Sequence, residues 1–524
     1  MNTHVKIVIS LVVVGAIALV GYKTLLTAKN DQIQLNASDA KNIKAHVRIG
    51  VDNWVGYMPL CSGEMKRRMR QAGYLLECVE DQADYSSRMK ALKKRSVDFA
   101  VATVDSYLLN GAQFDYPGAI VAVIDESKGG DAVVAWKDSV TTIDDLKTNP
   151  TLRVGFTPDS PSEHLLKAIS SHFDVPHLRQ VGGDWRVETE GSTDALEKIL
   201  KKHTQVAVLW EPDVSKALAQ EGIGKILGTE DTHNLIVDVL IVNHDYYREN
   251  KAAVTDLLYH YFRTLKHFKD NPGALVSLLA QRDSMKPEVA ETVLKGVHWV
   301  SLTENALSWF GVDMDGVSSQ EGLVESIEAT LDILLQAGDF TASPLPGKNP
   351  YRLTQREVVS SLFSTGNTIG FGTNNNKGSN DGSTDSLTRP FSILSENGWL
   401  NLREVGTLRN RPLTFQSGTS TLDDESKKEL DKAAKQLSHY PNFRLLVGGH
   451  TGLRGDTLAN KMLSQSRAES VATYFSQTYG VNVARLRPVG YGADHPLPKI
   501  PGESNRSHNY RLPRVELSLV AEEL

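Results

Sequence analysis

Between His46 and Gly222, short β-branched runs alternate with segments of helical spacing, and they do so twice in succession. The first series places strands at HVRIGV (46–51), YLLECVED (74–81), VDFAVAT (97–103), AIVAVI (119–124) and DAVVAWK (131–137), with MKRRMRQAG and SRMKALKKR as helices between them. The second runs through LRVGF (152–156), helices SPSEHLLKAISSHF (160–173) and STDALEKILKK (192–202), strand QVAVLW (205–210) and helix DVSKALAQEG (213–222). This alternation calls for parallel strands whose connections are covered by helices, the α/β pattern. Two such series predict two lobes. NLIVDVLIVN (234–243) is long enough to run back between them, ahead of the helix DYYRENKAAVTDLLYHYFRTLKHF (245–268) and further helices to about Ala337. Lobes joined by crossing strands create a cleft, and open α/β sheets take ligands at the C-terminal ends of their strands.

The 524 residues exceed what one core supports, so further domains are expected. TGNTIGFGTNNNKGSNDGSTDS (365–386) has almost no apolar side chains and reads as a flexible linker. At this length a coil reaches roughly 25 Å by the square-root estimate, so the units on either side are expected to move independently. Its G-x-G neither follows a strand nor opens a helix, which excludes a nucleotide loop. Beyond it come RPLTFQSGTSTL, helix DDESKKELDKAAKQLSHY, strand NFRLLVGGH, helix DTLANKMLSQSRAESVATYFSQTYG, VNVARLRPVGYG and strand PRVELSLV, a compact β-α-β-α-β order. On the long helix Asn460, Ser464 and Arg467 are spaced to share one face above a glycine-rich loop.

A net charge of −6 without a basic stripe argues against nucleic acid as a partner. The run Ile7 to Tyr22 is apolar and uncharged, and Val5 to Leu26 with Lys6 and Lys23 snorkelling is long enough to cross about 30 Å of hydrocarbon. No A-x-A-like site and no lipid-acceptor cysteine follow, so an uncleaved single anchor is expected over a cleaved signal peptide. Residues 29–45 then form a polar tether. The two cysteines, Cys61 and Cys78, fit either two buried small residues, the reading slightly favoured, or a disulfide in an oxidising compartment.

Catalytic signals are weak. The chain has no G-x-S-x-G, no H-E-x-x-H and no P-loop, and its histidines are scattered. Asp313, Asp315 and Gly316 lack the distal ligand spacing of a calcium loop and read as a turn. No enzyme activity, metal or cofactor is expected.

The strand-end segments VRIGVDNWVGYMPL (47–60), SVDFAVATVDS (96–106), VIDESKGGDAVVA (123–135), VGFTPDSPSEHLL (154–166), VAVLWEPDV (206–214) and IVDVLIVN (236–243) carry a resemblance. They are similar, in family order across 46–345, to periplasmic substrate-binding proteins of the nitrate, taurine and aliphatic-sulfonate transporter type. The resemblance implies a two-lobed type II binding-protein fold of the ABC-transporter kind. It places Trp54, Gly56, Tyr57, Ser106, Ser127, Asp131, Ser160, Ser162, Trp210 and Glu211 at the ligand cleft. Ser160 and Ser162 open a helix whose N-terminus suits an anion, although Ser160 with Glu163 equally fits a capping box. Asp131, Glu211 and Asp238 would repel a sulfonate or nitrate and suit an amine or hinge pairs.

The segments LTFQSGTSTL (413–422), GHTGLRGDTLANKMLSQSRAESV (449–471), YGVNVARLRPVGYGADHP (479–496) and NYRLPRVEL (509–517) resemble the OmpA-like peptidoglycan-binding domain. The resemblance implies an α+β domain over 400–524 whose helix arginine, Arg467, grips a carboxylate of the diaminopimelate side chain, with Asn460 and Thr451 adding hydrogen bonds. The family's acidic loop residue is Gly452 here, and Asp456 is the candidate substitute. A lost bond to a charged group costs on the order of 1.5–3 kcal/mol, or ten- to a hundred-fold in affinity.

The expectation is therefore an α/β chain with one N-terminal transmembrane helix, a periplasmic binding domain (46–345), a linker (346–399) and an OmpA-like domain. Its expected place is the inner membrane, single-pass, with its bulk in the periplasm. The expected partners are a small molecule, peptidoglycan and a transporter or signalling membrane protein. The competing expectation is a structural docking component whose cleft and wall site are degenerate.

Overall fold

The computed structural model describes residues 43–522 except 180–181, 313–318, 370–390, 411–412, 414 and 416–417. The expected anchor, most of the tether, the core of the low-complexity linker and the 313–316 turn lie outside the described residues. Among those that are described, no helix is long and apolar enough to cross a membrane.

The first lobe starts from β1 (Ala45–Val51), β2 (Tyr74–Glu80), β3 (Phe99–Thr103) and β4 (Gly118–Ser127). The chain then crosses to build the second lobe from β5 (Asp131–Trp136), β6 (Val154–Phe156), β7 (Arg186–Glu188), β8 (Val206–Trp210) and β9 (Ile223–Gly228). It returns through β10 (Val237–Asn243) and β11 (Val297–Trp299), which complete the first sheet. The sheets run β11-β4-β10-β3-β1-β2 and β7-β6-β8-β5-β9. β1 pairs in parallel with β2 and β3, whereas β10 is antiparallel to β3 and β4. Thus 234–243 does run back between lobes, as its length predicted. β7, β9 and β11 carry too little apolar periodicity to stand out in the sequence.

The predicted helix 245–268 is split by Asn250 into His244–Glu249 and Lys251–Asp270. Cys61 and Cys78 form a disulfide that ties the short helix Met58–Cys61 to β2, so the free-thiol expectation is corrected.

Two boundaries differ from expectation. Residues from 346 do not begin as linker: Leu353, Val358, Val359 and Phe363 are buried against the first lobe, and the helix Glu357–Ile369 continues that packing. Their i, i+4-type apolar spacing was masked by the polar run that follows. The C-terminal unit also does not stand apart. It has a sheet of order β12-β15-β13-β14, formed by β12 (Arg403–Thr407), β13 (Arg444–His450), β14 (Leu486–Gly492) and β15 (Arg514–Ala521). Against this sheet pack the helices Asp424–Ser438 and Thr457–Tyr479. Its core is continuous with that of the second lobe: Ile143, Phe173, Val405, Tyr440 and Phe443 belong to one buried cluster. Phe173 and Tyr440 meet edge-to-face at 5.3 Å, and His172 Nδ1 lies 2.8 Å from the Tyr440 hydroxyl. Thr407 N–H donates to Asp144 Oδ2 at 3.0 Å.

Candidate functional site

The two crossings between lobes, 127–131 and 228–237, are stitched together by Thr229. Its Oγ1 lies 2.7 Å from Ser127 Oγ, accepts from Gly129 N at 2.9 Å and Asp131 N at 3.1 Å, and donates to the Asp131 carbonyl. Above this stitch a cavity of about 300 Å³, its open mouth included, separates the lobes. Asp52, Trp54, Tyr57, Tyr85, Thr103 and Asp238 line it from the first lobe, Asp131, Pro161 and Trp210 from the second, and Ile236 from the crossing strand. Most of these stand at or just past strand ends, where side chains project out of a sheet instead of into its packed faces.

The aromatic wall is fastened to carboxylates. Trp54 Nε1 donates to Asp125 Oδ1 at 3.1 Å, and its backbone N–H donates to Asp52 Oδ1 at 2.9 Å. The Tyr57 hydroxyl donates to Asp238 Oδ1. Asp238 and Asp125 are direct partners across β10 and β4. Gly56 makes this possible: a Cβ there would stand 2.1 Å from Asp125 Oδ2 and 2.3 Å from Trp54 Nε1.

One guanidinium approaches the cleft, and it is already occupied. Arg88, 1% exposed, donates to Asp52 Oδ2 at 3.0 Å, to Asp81 Oδ2 at 2.7 Å and to the Val101 carbonyl at 2.9 Å, and it lies over the Tyr85 ring at 4.7 Å. Burial drives the remaining carboxyls upward. It raises Asp125 and Asp131 to about 7 and Asp105 to about 6. Asp238 is raised well above its ordinary range, first by burial and then by the Asp125 charge. Lining residues include no lysine, arginine or histidine.

Of the residues the sequence singled out, the cavity brings together Trp54, Tyr57, Asp131 and Trp210, with Gly56 behind them. The others are placed elsewhere. Ser106 Oγ accepts from Thr103 Oγ1 and donates across the lobes to the Asp159 carbonyl at 3.3 Å. Ser127 belongs to the Thr229 stitch. Ser160 caps the helix Pro161–His172, accepting from Ser162 N–H at 3.2 Å, and is fully buried. Glu163 accepts from Asp159 N–H instead of completing a capping box. Ser162 is buried and also off the lining. Pro161 lacks an N–H and the Ser162 amide is taken by Ser160, while the buried Ser162 hydroxyl has no partner. Glu211 caps its own helix through Ser215, accepting from the amide at 3.0 Å and the hydroxyl at 2.7 Å. Sequence reasoning passed over Asp52, Tyr85, Thr103, Pro161, Ile236 and Asp125. A cue existed for Asp52, which directly follows the first strand.

In the C-terminal domain the polar triad divides. Ser464 is fully buried, donates to the Lys461 carbonyl and accepts from Gly492 N–H at 2.9 Å, so it fastens the helix to β14. Arg467 remains half-exposed, donating from Nε to the Thr419 carbonyl at 3.1 Å and lying over the Phe415 ring at 4.8 Å. No ion pair joins it to a carboxylate among the described residues. Asp456 is the N-cap of Thr457–Tyr479, accepting from Ala459 N–H at 2.8 Å, and Glu469 takes the Gln465 amide at 3.0 Å. Asn460 Nδ2 donates to the Arg454 carbonyl at 3.1 Å. Thr451 is buried, with its hydroxyl unpartnered. At Gly452 an added Cβ would meet open space.

Comparison with known proteins bears on both parts. Residues 414–510 match the model of the OmpA family. The chain is 34% identical over 98 residues to outer membrane protein Omp38 of Acinetobacter baumannii, covering 19% of this chain and 28% of that one. It is 29% identical over 103 residues to the peptidoglycan-associated lipoprotein of Buchnera aphidicola, 20% of this chain and 59% of the relative. It therefore spans less than two thirds of either relative's length. Among solved structures, the alkanesulfonate-binding protein SsuA of Xanthomonas axonopodis pv. citri is similar over 60% of this chain and 99% of its own, with 16% identity and a TM-score of 0.45. The C-terminal region is thus an OmpA-family domain, and the N-terminal region is a mixed α/β unit of two lobes about a cleft.

Proposed function

We propose that the protein is a bacterial envelope receptor that captures a small molecule between its lobes and attaches to peptidoglycan through its C-terminal domain. The cavity between the lobes carries this reading, because four aromatic rings and a set of polar groups converge there at the strand crossings. Concave sites of this composition at a boundary between lobes are the usual place for a small ligand. The wall-binding half is supported by the OmpA-family match and by Arg467, whose planar fork suits a carboxylate and which has no acidic partner among the described residues. Anchoring through Ile7–Tyr22 in the inner membrane completes the reading, with the lobes in the periplasm and a transporter or signalling protein as the membrane partner. A receptor so tethered senses or organises the envelope more readily than it shuttles solute.

Two measurements test the proposal. Ligand linkage requires that a bound metabolite raise the unfolding temperature of the full chain. Co-sedimentation with purified peptidoglycan should occur and should fall at least tenfold in Arg467→Ala. Wall binding indifferent to that substitution would remove Arg467 from the site and favour a protein-docking role for the domain.

A further inference from the structure

We propose that the cleft takes a small organic cation bearing N–H groups, such as an amine, held between Asp131 and Asp238 and walled by Trp54, Tyr57, Tyr85 and Trp210. This rests on the receptor reading above and names its ligand class.

The charges leave little choice. An anion such as nitrate or a sulfonate needs a cation or free N–H donors, and the lining offers no side-chain cation. Arg88 lies behind the wall, with Asp52 and Asp81 on either side of it. It is saturated by them and by the Val101 carbonyl. At the helix start beside Pro161, the proline has no N–H and the Ser162 amide is taken by the serine cap. The carboxylates, by contrast, are in excess. Asp131 and Asp238 are 3% and 2% exposed, and no salt bridge engages either one among the described residues. A separate observation points the same way. Asp125, fully buried beside Asp238 across β4 and β10 and fastened to Trp54, has its Oδ2 packed against Gly56 off the lining, so it adds negative charge behind the wall without touching the guest. A buried carboxylate without a counter-charge is costly, and a cation with N–H groups supplies both charge and donors. Aromatic faces favour the same ligand, since a cation is attracted to the ring quadrupole, most strongly when desolvated.

Protons compete for these groups. Asp131 and Asp125 titrate near 7 because burial disfavours their charge, so a cation arriving at neutral pH displaces protons. The titratable groups facing them are Asp52, Asp105, Asp238, Glu211, Tyr57, Tyr85, Tyr261, Arg88 and His298. Of these, Asp105, raised to about 6 by burial, and His298 also change charge near neutrality; burial lowers His298, and Glu304 at 2.9 Å more than offsets it, so the imidazole stays raised.

Tryptophan emission of the full-length chain, with Trp54 and Trp210 as reporters, is titrated with methylammonium, ethanolamine, guanidinium and choline. Parallel titrations use nitrate, methanesulfonate and glycerol. Saturable change is expected with at least one N–H-bearing cation and with neither anion. Its Kd should rise at least fivefold between pH 8 and pH 6, and at least tenfold in Asp131→Asn at pH 8. Calorimetry at pH 7 in two buffers of different ionisation enthalpy should show net proton release. Saturable binding of nitrate, methanesulfonate or glycerol without any cation would overturn the ligand class while leaving the receptor reading intact. Silence with every probe, in both emission and unfolding temperature, would overturn both. Choline binding as tightly as methylammonium would remove the N–H requirement and with it the proposal as stated.

Discussion

The cleft and the loop at the head of the Thr457–Tyr479 helix are unbalanced in opposite senses. The cleft gathers carboxylates that nothing basic on its lining offsets, and the helix beyond the loop presents an arginine, Arg467, that nothing acidic offsets among the described residues. The difference lies in burial. Arg467 is half-exposed over Phe415, where solvent and a backbone carbonyl satisfy it at little cost. Asp125, Asp131 and Asp238 are shut away from water, where an isolated charge is expensive and the group takes up a proton instead. The outer site tolerates a missing partner, while the inner one requires its partner to come from outside.

The largest expected effect comes from breaking the inner site. Gly56→Ala forces a methyl into Asp125 and Trp54, so ligand-induced change in tryptophan emission should disappear, with a stability cost of about 1–3 kcal/mol in denaturant unfolding. Retained ligand response would show that the Trp54–Asp125 bond is dispensable.

Next comes repair of the outer site. Gly452→Asp has room for its side chain and restores the family's acidic loop residue, a partner for the ammonium end of the diaminopimelate side chain. Peptidoglycan affinity should rise roughly ten- to a hundred-fold in co-sedimentation, in line with about 1.5–3 kcal/mol for a bond to a charged group. An unchanged affinity would mean that Asp456 already fills the role.

pH sharpens the contrast. Asp131 has a folded value of about 7, above its unfolded one near 3.8, so its contribution to stability is full below about pH 4 and is lost as pH rises through 7. The unfolding temperature of Asp131→Asn relative to the unsubstituted ligand-free chain should therefore rise between pH 5 and pH 8. The interdomain face runs the other way. Burial lowers His172, His233 and His439 below their ordinary 6.5, so docking stability is present above that value and lost as pH falls beneath it. Limited proteolysis within 365–386 and small-angle scattering should report a looser C-terminal domain at pH 5 than at pH 7.5. The smallest effect is expected for Asp456→Ala, about 1 kcal/mol from the lost helix cap, read as a modest drop in unfolding temperature.

Much of the architecture was legible because it rests on local pattern. β-branched runs at 46–51, 97–103, 131–137 and 205–210 became the strands expected of them, and 234–243 became the return crossing. The C-terminal segments were legible from their resemblance to the OmpA-like motif, whose glycines, Asn460, Ser464 and Arg467 stand in register here, while spacing alone set the three polar residues on one helix face. The site was less so. Ser106, Ser127, Ser160 and Glu211 look like ligand contacts in a sequence, yet each is consumed by a neighbouring backbone or hydroxyl group. Arg88 is one base in the basic helix SRMKALKKR, and nothing local marks it as the residue that is buried.

The sequence by itself determined two α/β lobes, a return strand, a C-terminal α+β domain and an arginine set above a glycine loop, because periodicity and turn chemistry act within a few residues. Tertiary structure alone decided that Asp52, just past β1, Asp131 of β5 and Asp238 of β10 converge on one cavity whose lining carries no basic side chain, with Asp125 of β4 beside Asp238. It also decided that the C-terminal domain shares a core with the second lobe through Phe173 and Tyr440. Both depend on how sheets register and faces meet across long stretches of chain, and on the burial that results, which turns ordinary aspartates into groups that must find a proton or a positively charged guest.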